Sequence, residues 1–346
     1  MQRRPGFASI GRWWAAAVVA LAATLWPLLA QAAEPAAAAS SGAEARNWLQ
    51  RIQSAAGQRN YQGTLVVSTG SSMSSARLAH YCEGSQYYER IDMLDGQPRR
   101  VYRHNEQVLT LWPAAKMARL EQRDAVALFP AVLSGSAEQL FERYDMLAEG
   151  PGRVAGHDVA VFLLRPRDDQ RFAQRLWAEK ASGLLLRADV LAPDGRVLES
   201  AAFSDVTIGI KSQPESVLAP MRKLEGYRVV RSAPQRTGLE AEGWRLAAPV
   251  TGFKPISCVK RNLDVGADGE RTSTVEVLQT IYSDGLTHVS IFIEPLRAER
   301  HRAGAAAFGA THTLMQPLGT QHWVTVMGDV PMATLRQFAA ALERLR

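Results

Sequence analysis

The sequence is poor in the residues that carry covalent and metal chemistry. Two cysteines, Cys82 and Cys258, stand among 346 residues, and their spacing fits no zinc or redox motif. There is no nucleophile elbow of the G-x-S-x-G kind, no H-E-x-x-H, no P-loop and no C-x-x-C. The seven histidines are scattered, and no carboxylate stands at ligand spacing beside His301, His312 or His322. Asp168-Asp169 is a carboxylate pair among Arg165, Arg167 and Arg171 and reads as a charge-balanced hairpin tip. These absences argue against a hydrolase, a nucleotide enzyme or a metalloenzyme. The expectation is a chain without catalytic residues, metal or cofactor.

Charge is also in short supply. Three arginines (Arg3, Arg4, Arg12) and no acids lie in residues 1–32, so the formal charge of +6 falls to +3 without them. A nucleic-acid binder needs a concentrated basic face, and none is present. The one long apolar stretch, Trp13–Ala30, follows those arginines and ends at Ala30-Gln31-Ala32. A charged start, an apolar middle and a small-x-small ending form a secretory signal, with the cut placed after Ala32. An uncleaved membrane anchor is the alternative, and Pro27 speaks against it. The mature chain is therefore expected outside the cytoplasm and soluble. In that compartment Cys82 and Cys258 could form a bridge; otherwise each is a small buried apolar group.

Residues 33–42 are rich in alanine and serine and are expected to be disordered. Trp48, Leu49, Ile52, Ala55 and Ala56 recur at helical spacing, which predicts a helix over 43–59. Short β-type runs then dominate: 61–69, 77–83, 86–93, 99–104, 107–112, 159–165, 175–179, 184–191 and 197–203. Asp95-Gly96, His104-Asn105, Ser182-Gly183 and Asp194-Gly195 punctuate them. A helical insert is predicted over 124–145. Sequential strands with tight turns curve into a half-barrel, so residues 43–210 form the first domain. Pro214, Pro220 and Pro234 mark 211–239 as a linker. Residues 240–346 read as a smaller antiparallel sheet with a final helix that starts near Asp329, with Pro331 in its first turn, and buries Leu335, Phe338, Leu342 and Leu345. The fold class is α+β.

The apolar content suggests either a dry core or an inner wall for acyl chains. Candidates for such a lining are Leu65, Val67, Leu109, Leu111, Phe129, Leu133, Leu163, Trp177 and Leu186. In the second domain, Asp284-Gly285 separates two β-type runs, a strong hairpin signal. Tyr282, Asp284, Gly285 and Leu286, with the sheet edge beside them, are candidates for partner contact; Tyr282 could equally pack on the final helix.

Several of these segments resemble the RseB/MucB family. They are Tyr61-Gln62-Gly63-Thr64-Leu65, Glu89-Arg90, Leu94-Asp95-Gly96 and Pro98-Arg99. Arg171-Phe172, Leu176-Trp177, Gly183-Leu184, Arg187, Gly195 and Leu198-Glu199 follow in order, then the Tyr282-Ser283-Asp284-Gly285 turn. Arg100 and Glu179 depart from the family pattern, and 211–245 match nothing in it. The resemblance implies a periplasmic regulator of the envelope-stress sigma factor. It implies a first domain similar to the lipoprotein carriers LolA and LolB, and a partner in the periplasmic part of an RseA/MucA-like anti-sigma factor, shielded from proteolysis. It further implies release by lipid, lipoprotein or lipopolysaccharide acyl chains. A homodimer is compatible with it. The rival reading is a periplasmic lipid or lipoprotein carrier.

Overall fold

A computed structural model of the chain describes residues 38–39, 42–122, 129, 133, 135–232, 234–265 and 273–345. The leader and its cleavage site lie outside the described residues. So do most of 33–42 and much of the first half of the 124–145 insert.

The first lobe opens with β1 (Ala38–Ala39) and α1 (Gly42–Gln58), followed by the hairpin strands β2 (Tyr61–Thr69), β3 (Ser72–Glu83) and β4 (Gln86–Met93). Next come β5 (Arg100–His104), β6 (Gln107–Trp112) and β7 (Met117–Gln122). After a short helix, α2 (Ala137–Arg143), the chain runs through β8 (Tyr144–Val154), β9 (His157–Pro166), β10 (Ala173–Glu179), β11 (Leu185–Leu191) and β12 (Val197–Ile208). The helix α3 (Glu215–Arg222) and strand β13 (Arg228–Ser232) complete the lobe. Among the described residues these strands form one thirteen-stranded sheet, ordered β1-β8-β9-β10-β11-β12-β2-β3-β4-β5-β6-β7-β13. Neighbours are antiparallel except β13, which lies parallel to β7, with Arg228 opposite Met117.

Apolar spacing explains how the helices sit. Ala45, Leu49 and Ile52 make one stripe of α1 and pack on Phe162, Leu164 and Leu176. A capping box between Ser136 and Gln139 starts α2. Odd spacing places Leu78 and Tyr81 on opposite faces of β3. Leu78 joins a cluster with Tyr61 and Phe203, while Tyr81 packs with Tyr102, Leu109 and Val217 under α3.

The second lobe contains β14 (Gln235–Arg236), β15 (Trp244–Leu246), β16 (Lys254–Val265), β17 (Ser273–Ser283) and β18 (His288–Pro295). The strands β19 (Gly304–Phe308), β20 (Thr311–Leu318) and β21 (His322–Gly328), the helix α4 (Met332–Ala341) and β22 (Leu342–Arg344) follow. The sheet order is β14-β16-β17-β18-β21-β20-β19, and β15 pairs with β22. Leu335 and Phe338 of α4, both 0% exposed, close the core over Val289, Ile291, Val324 and Val326.

Several expectations change. Residues 211–232 are not a linker. Val217 is 0% exposed, Leu218, Met221, Leu224, Tyr227 and Val229 pack beside it, and β13 extends the first sheet. Prolines suggested a break, but an eight-residue helix has few internal bonds to lose at Pro220. The helix of the 124–145 insert is confined, among the described residues, to α2, and Tyr144 already belongs to β8. The Gly150-Pro151-Gly152 run hid that strand, which accommodates it with a bulge between Ala148 and Gly150. The strands β7 and β19 carry weak β-propensity and are defined by their pairing.

Candidate functional site

The turn between β17 and β18 leaves its own sheet and enters the first lobe. Asp284 and Gly285 occupy this turn, Gly285 with φ +97. The Asp284 carboxylate caps it locally: Oδ1 accepts the N–H groups of Leu286 and Thr287, each at 2.9 Å. Its other oxygen, Oδ2, faces the first lobe. There it accepts the Tyr144 hydroxyl at 2.8 Å and Arg171 Nε at 2.6 Å. The Arg171 guanidinium is fully engaged. Nη1 donates to Asp168 Oδ2 at 2.6 Å, Nη2 to the Thr251 carbonyl at 2.6 Å, and the group lies 4.6 Å from the Phe253 ring centre. The side chains of Arg171 and Asp284 are both 0% exposed. Burial raises the Tyr144 hydroxyl well above its ordinary pKa, and the Asp284 charge adds to this, so it remains a donor.

Backbone approach is equally close. Gly135 N–H donates to the Gly285 carbonyl at 3.0 Å, and Gln53 Nε2 to the Gly135 carbonyl at 2.5 Å. A side-chain carbon on Gly285 would lie 2.6 Å from the Gly135 Cα. Leu286, a residue of the second lobe, is buried in the α1 cluster of the first. Thr334 Oγ1 of α4 donates to the Gln170 carbonyl at 2.9 Å. Together these contacts make a dry, hydrogen-bonded seam between the lobes.

A second contact is less settled. Gly309 meets Thr69 and the Leu198 carbonyl. Beside it, burial raises the Glu199 carboxyl and the Asp329 charge raises it further, against the Thr69 hydroxyl. With its pKa raised in the folded state, Glu199 contributes stability that is complete below its ordinary value and is lost as pH rises through the folded value. Glu199→Gln should therefore raise the melting temperature near pH 7.5 and leave it unchanged near pH 4. Thermal melts at both pH values check this; equal shifts at both would remove the carboxylate as the cause.

The sequence candidates distribute as follows. Tyr282, Asp284, Gly285 and Leu286 are buried within the chain, so the turn is a lobe–lobe contact and not an open surface. Tyr282 packs on Phe338 of α4 with ring centres 5.4 Å apart. Leu65, Phe129, Trp177 and Leu186 gather in one cluster, and Leu133 and Phe129 join the α1 cluster beside it. Leu109 and Leu111 belong elsewhere, under α3. Leu163 alternates with Phe162 and Leu164 and so points away from α1; Val67 is half-buried. Cys82 and Cys258 are free thiols. Cys82 donates to Asn60 Oδ1 at 3.3 Å, while Cys258 sits in the second-lobe core beside β17. Arg171 and Tyr144 escaped the sequence reading as site residues. Arg171 stood out only beside the acidic pair and within the Arg171-Phe172 family match, and its partner lies 113 positions away. Among the described residues no group of three or more His, Cys, Asp or Glu could hold a metal ion.

Two clefts adjoin the seam. One, of about 280 Å³, lies between Gly135, Arg143, Lys254 and Gly285. The other, of about 850 Å³, is lined by Leu239, Val250, Phe253, Ile256 and Tyr282 among others.

Residues 44–221 match the family model of the MucB/RseB N-terminal domain, and residues 238–343 that of the MucB/RseB C-terminal domain. The sigma factor AlgU regulatory protein MucB of Pseudomonas aeruginosa is 28% identical over 308 residues, which span 88% of this chain and 92% of that protein. The sigma-E factor regulatory protein RseB of Haemophilus influenzae is 23% identical over 294 residues, 85% of this chain and 89% of that protein. Among solved structures, the Pseudomonas aeruginosa MucA/MucB complex matches with a TM-score of 0.67 and 27% identity, over 88% of this chain and 99% of the matched chain. MucB in complex with MucA(peri) matches with a TM-score of 0.66 and 26% identity, over 87% and 99%.

Proposed function

Because this chain belongs to the MucB/RseB family, we propose that it is a periplasmic regulator that binds the periplasmic part of a membrane anti-sigma factor of the MucA/RseA type. Bound there, it shields that factor from regulated proteolysis and so keeps the sigma factor restrained. The observation that carries this reading is the match of both lobes together, with a TM-score of 0.67, to a MucB chain solved with MucA. The site supports a binding role over a chemical one. The two buried charges of the seam are spent on partners there: Asp284 on Arg171, Tyr144 and its own turn, Arg171 on Asp168 and Thr251. None is left with the geometry of a nucleophile and its base.

Release by acyl chains belongs to the same proposal. Its support is the apolar group Leu65, Phe129, Trp177 and Leu186, with Leu133 close by. The test is a pull-down of the cognate anti-sigma factor's periplasmic segment by the full chain, with and without lipopolysaccharide. Binding that lipopolysaccharide reverses is the expected result. Absence of binding would overturn the regulatory reading, and binding indifferent to lipid would overturn only the release step.

A further inference from the structure

The two clefts beside the seam share Pro255 and Ile256, so they form one groove that bends round the start of β16. Its walls differ along its length. At the seam end stand two cations. Arg143 Nε is buried without a hydrogen-bond partner, and among the described residues the nearest carboxylate oxygen to its guanidinium belongs to adjacent Glu142, at 4.0 Å. Lys254 is exposed at the mouth. Asp284, which also lines this end, is already held by Arg171 and Tyr144. At the other end Val250, Phe253 and Tyr282 supply an apolar wall, with Glu240 and Arg245 also in the lining. Between the two ends Ile256 stands 52% exposed, unusual for a large aliphatic side chain in the middle of a lined groove.

The backbone of the groove is open as well. On the side of β16 away from β17, β14 pairs at Val259 and Lys260 only, and Thr237 N–H adds a bond to the Cys258 carbonyl at 3.0 Å. Over Lys254–Ile256 no strand of the described residues lies on that side. Ile256 is also the bulged residue, skipped in the register between Pro255 and Ser257. Pro255 has no N–H, so this stretch offers carbonyl oxygens to an incoming donor rather than a full ladder. An acyl chain has no use for such groups, whereas an extended peptide bonds to them directly.

We propose that this groove receives an extended segment of the protein partner that carries an acidic residue ahead of apolar ones. The segment lies beside Lys254–Ile256, sets its carboxylate against Arg143 and Lys254, and lays its apolar side chains over Ile256, Phe253 and Val250. The carboxylate supplies the acceptor that Arg143 Nε lacks, and unmade buried hydrogen bonds are costly. This rests on the regulatory reading above and adds to it the place and the chemistry of the contact.

The test uses the full chain and the cognate anti-sigma factor's periplasmic segment, measured by calorimetry. Both Lys254 and Ile256 are exposed, so their variants should melt like the parent chain. Lys254→Glu should weaken binding about tenfold, with the larger loss at low salt. Ile256→Asp should weaken it about thirtyfold, as for loss of an interface anchor. Ala306→Asp, on the far edge strand β19, should change nothing. Lys254→Glu should be rescued by an acid-to-lysine change in the segment. If the parent chain binds and both groove variants bind within about twofold of it, the groove assignment is wrong and the regulatory reading stands. If the groove variants instead lose self-association or fatty-acid binding while retaining the segment, the occupant is wrong. If the parent chain does not bind the segment, the regulatory reading fails and takes the groove with it.

Discussion

Asp284→Ala should destabilise the chain by about 3 kcal/mol, at the low end of what breaking a buried ion pair costs. The substitution strands Arg171, whose side chain is 0% exposed, and removes the acceptor of the Tyr144 hydroxyl. It also uncaps the turn, because the Leu286 and Thr287 N–H groups lose Asp284 Oδ1. The cost stays at the low end because Asp168, 27% exposed, still faces the guanidinium at 2.6 Å. Urea unfolding measures the loss. The double variant Arg171→Leu with Asp284→Ala should recover part of it, since two apolar groups need no partners. A loss below about 1 kcal/mol in the single variant would mean that water reaches Arg171 and that the seam is not dry. The same variant is expected to loosen the lobes relative to each other, because it removes the buried Asp284–Arg171 ion pair between them.

A chain ending at Gln213 should fail to fold stably, while one ending at Ser232 should fold. Both lack the second lobe, and both leave Arg171 without Asp284, so the difference isolates α3 and β13. Val217 at 0% exposure, with Leu218, Met221, Leu224, Tyr227 and Val229, covers Tyr81, Tyr102, Leu109 and Leu111. Fully burying one such side chain stabilises by about 1.5–3 kcal/mol, and whole domains are stable by only about 5–15 kcal/mol. Removing this layer also uncovers the edge of β7 and invites aggregation. Circular dichroism and size-exclusion chromatography of the two chains distinguish the outcomes. Equal melting temperatures would show that α3 and β13 are passengers on the first sheet.

Much of the architecture was written locally. The α1 stripe of Leu49 and Ile52, the strands Tyr61–Thr69, Gln86–Met93 and Gln107–Trp112, and the turn at Asp284-Gly285 follow from periodicity and turn chemistry. These signals lie within a few residues of one another, so the chain carries them whatever its fold. The absence of catalytic motifs was legible for the same reason. Membership of the family was legible too, because many short matches occur in order.

What the tertiary structure decided depends on partners distant in sequence. Residues 215–232 looked like a linker because prolines are local breakers, yet the apolar face they bury is supplied by β3, β5 and β6. The expected lipid wall divided because Leu109 and Leu111 face α3 whereas Leu65 and Leu186 do not. Cys82 and Cys258 remained apart because each is held in the surroundings of its own sheet. The Tyr282–Leu286 turn could have been read as an exposed hairpin tip, since its residues alone say only that the chain reverses. Its burial was set by Arg171 and Tyr144 in the other lobe, whose charge and hydroxyl make a carboxylate at position 284 stable out of water. Local chemistry thus determined the elements and the turn, and the packing of two lobes determined what the turn is for.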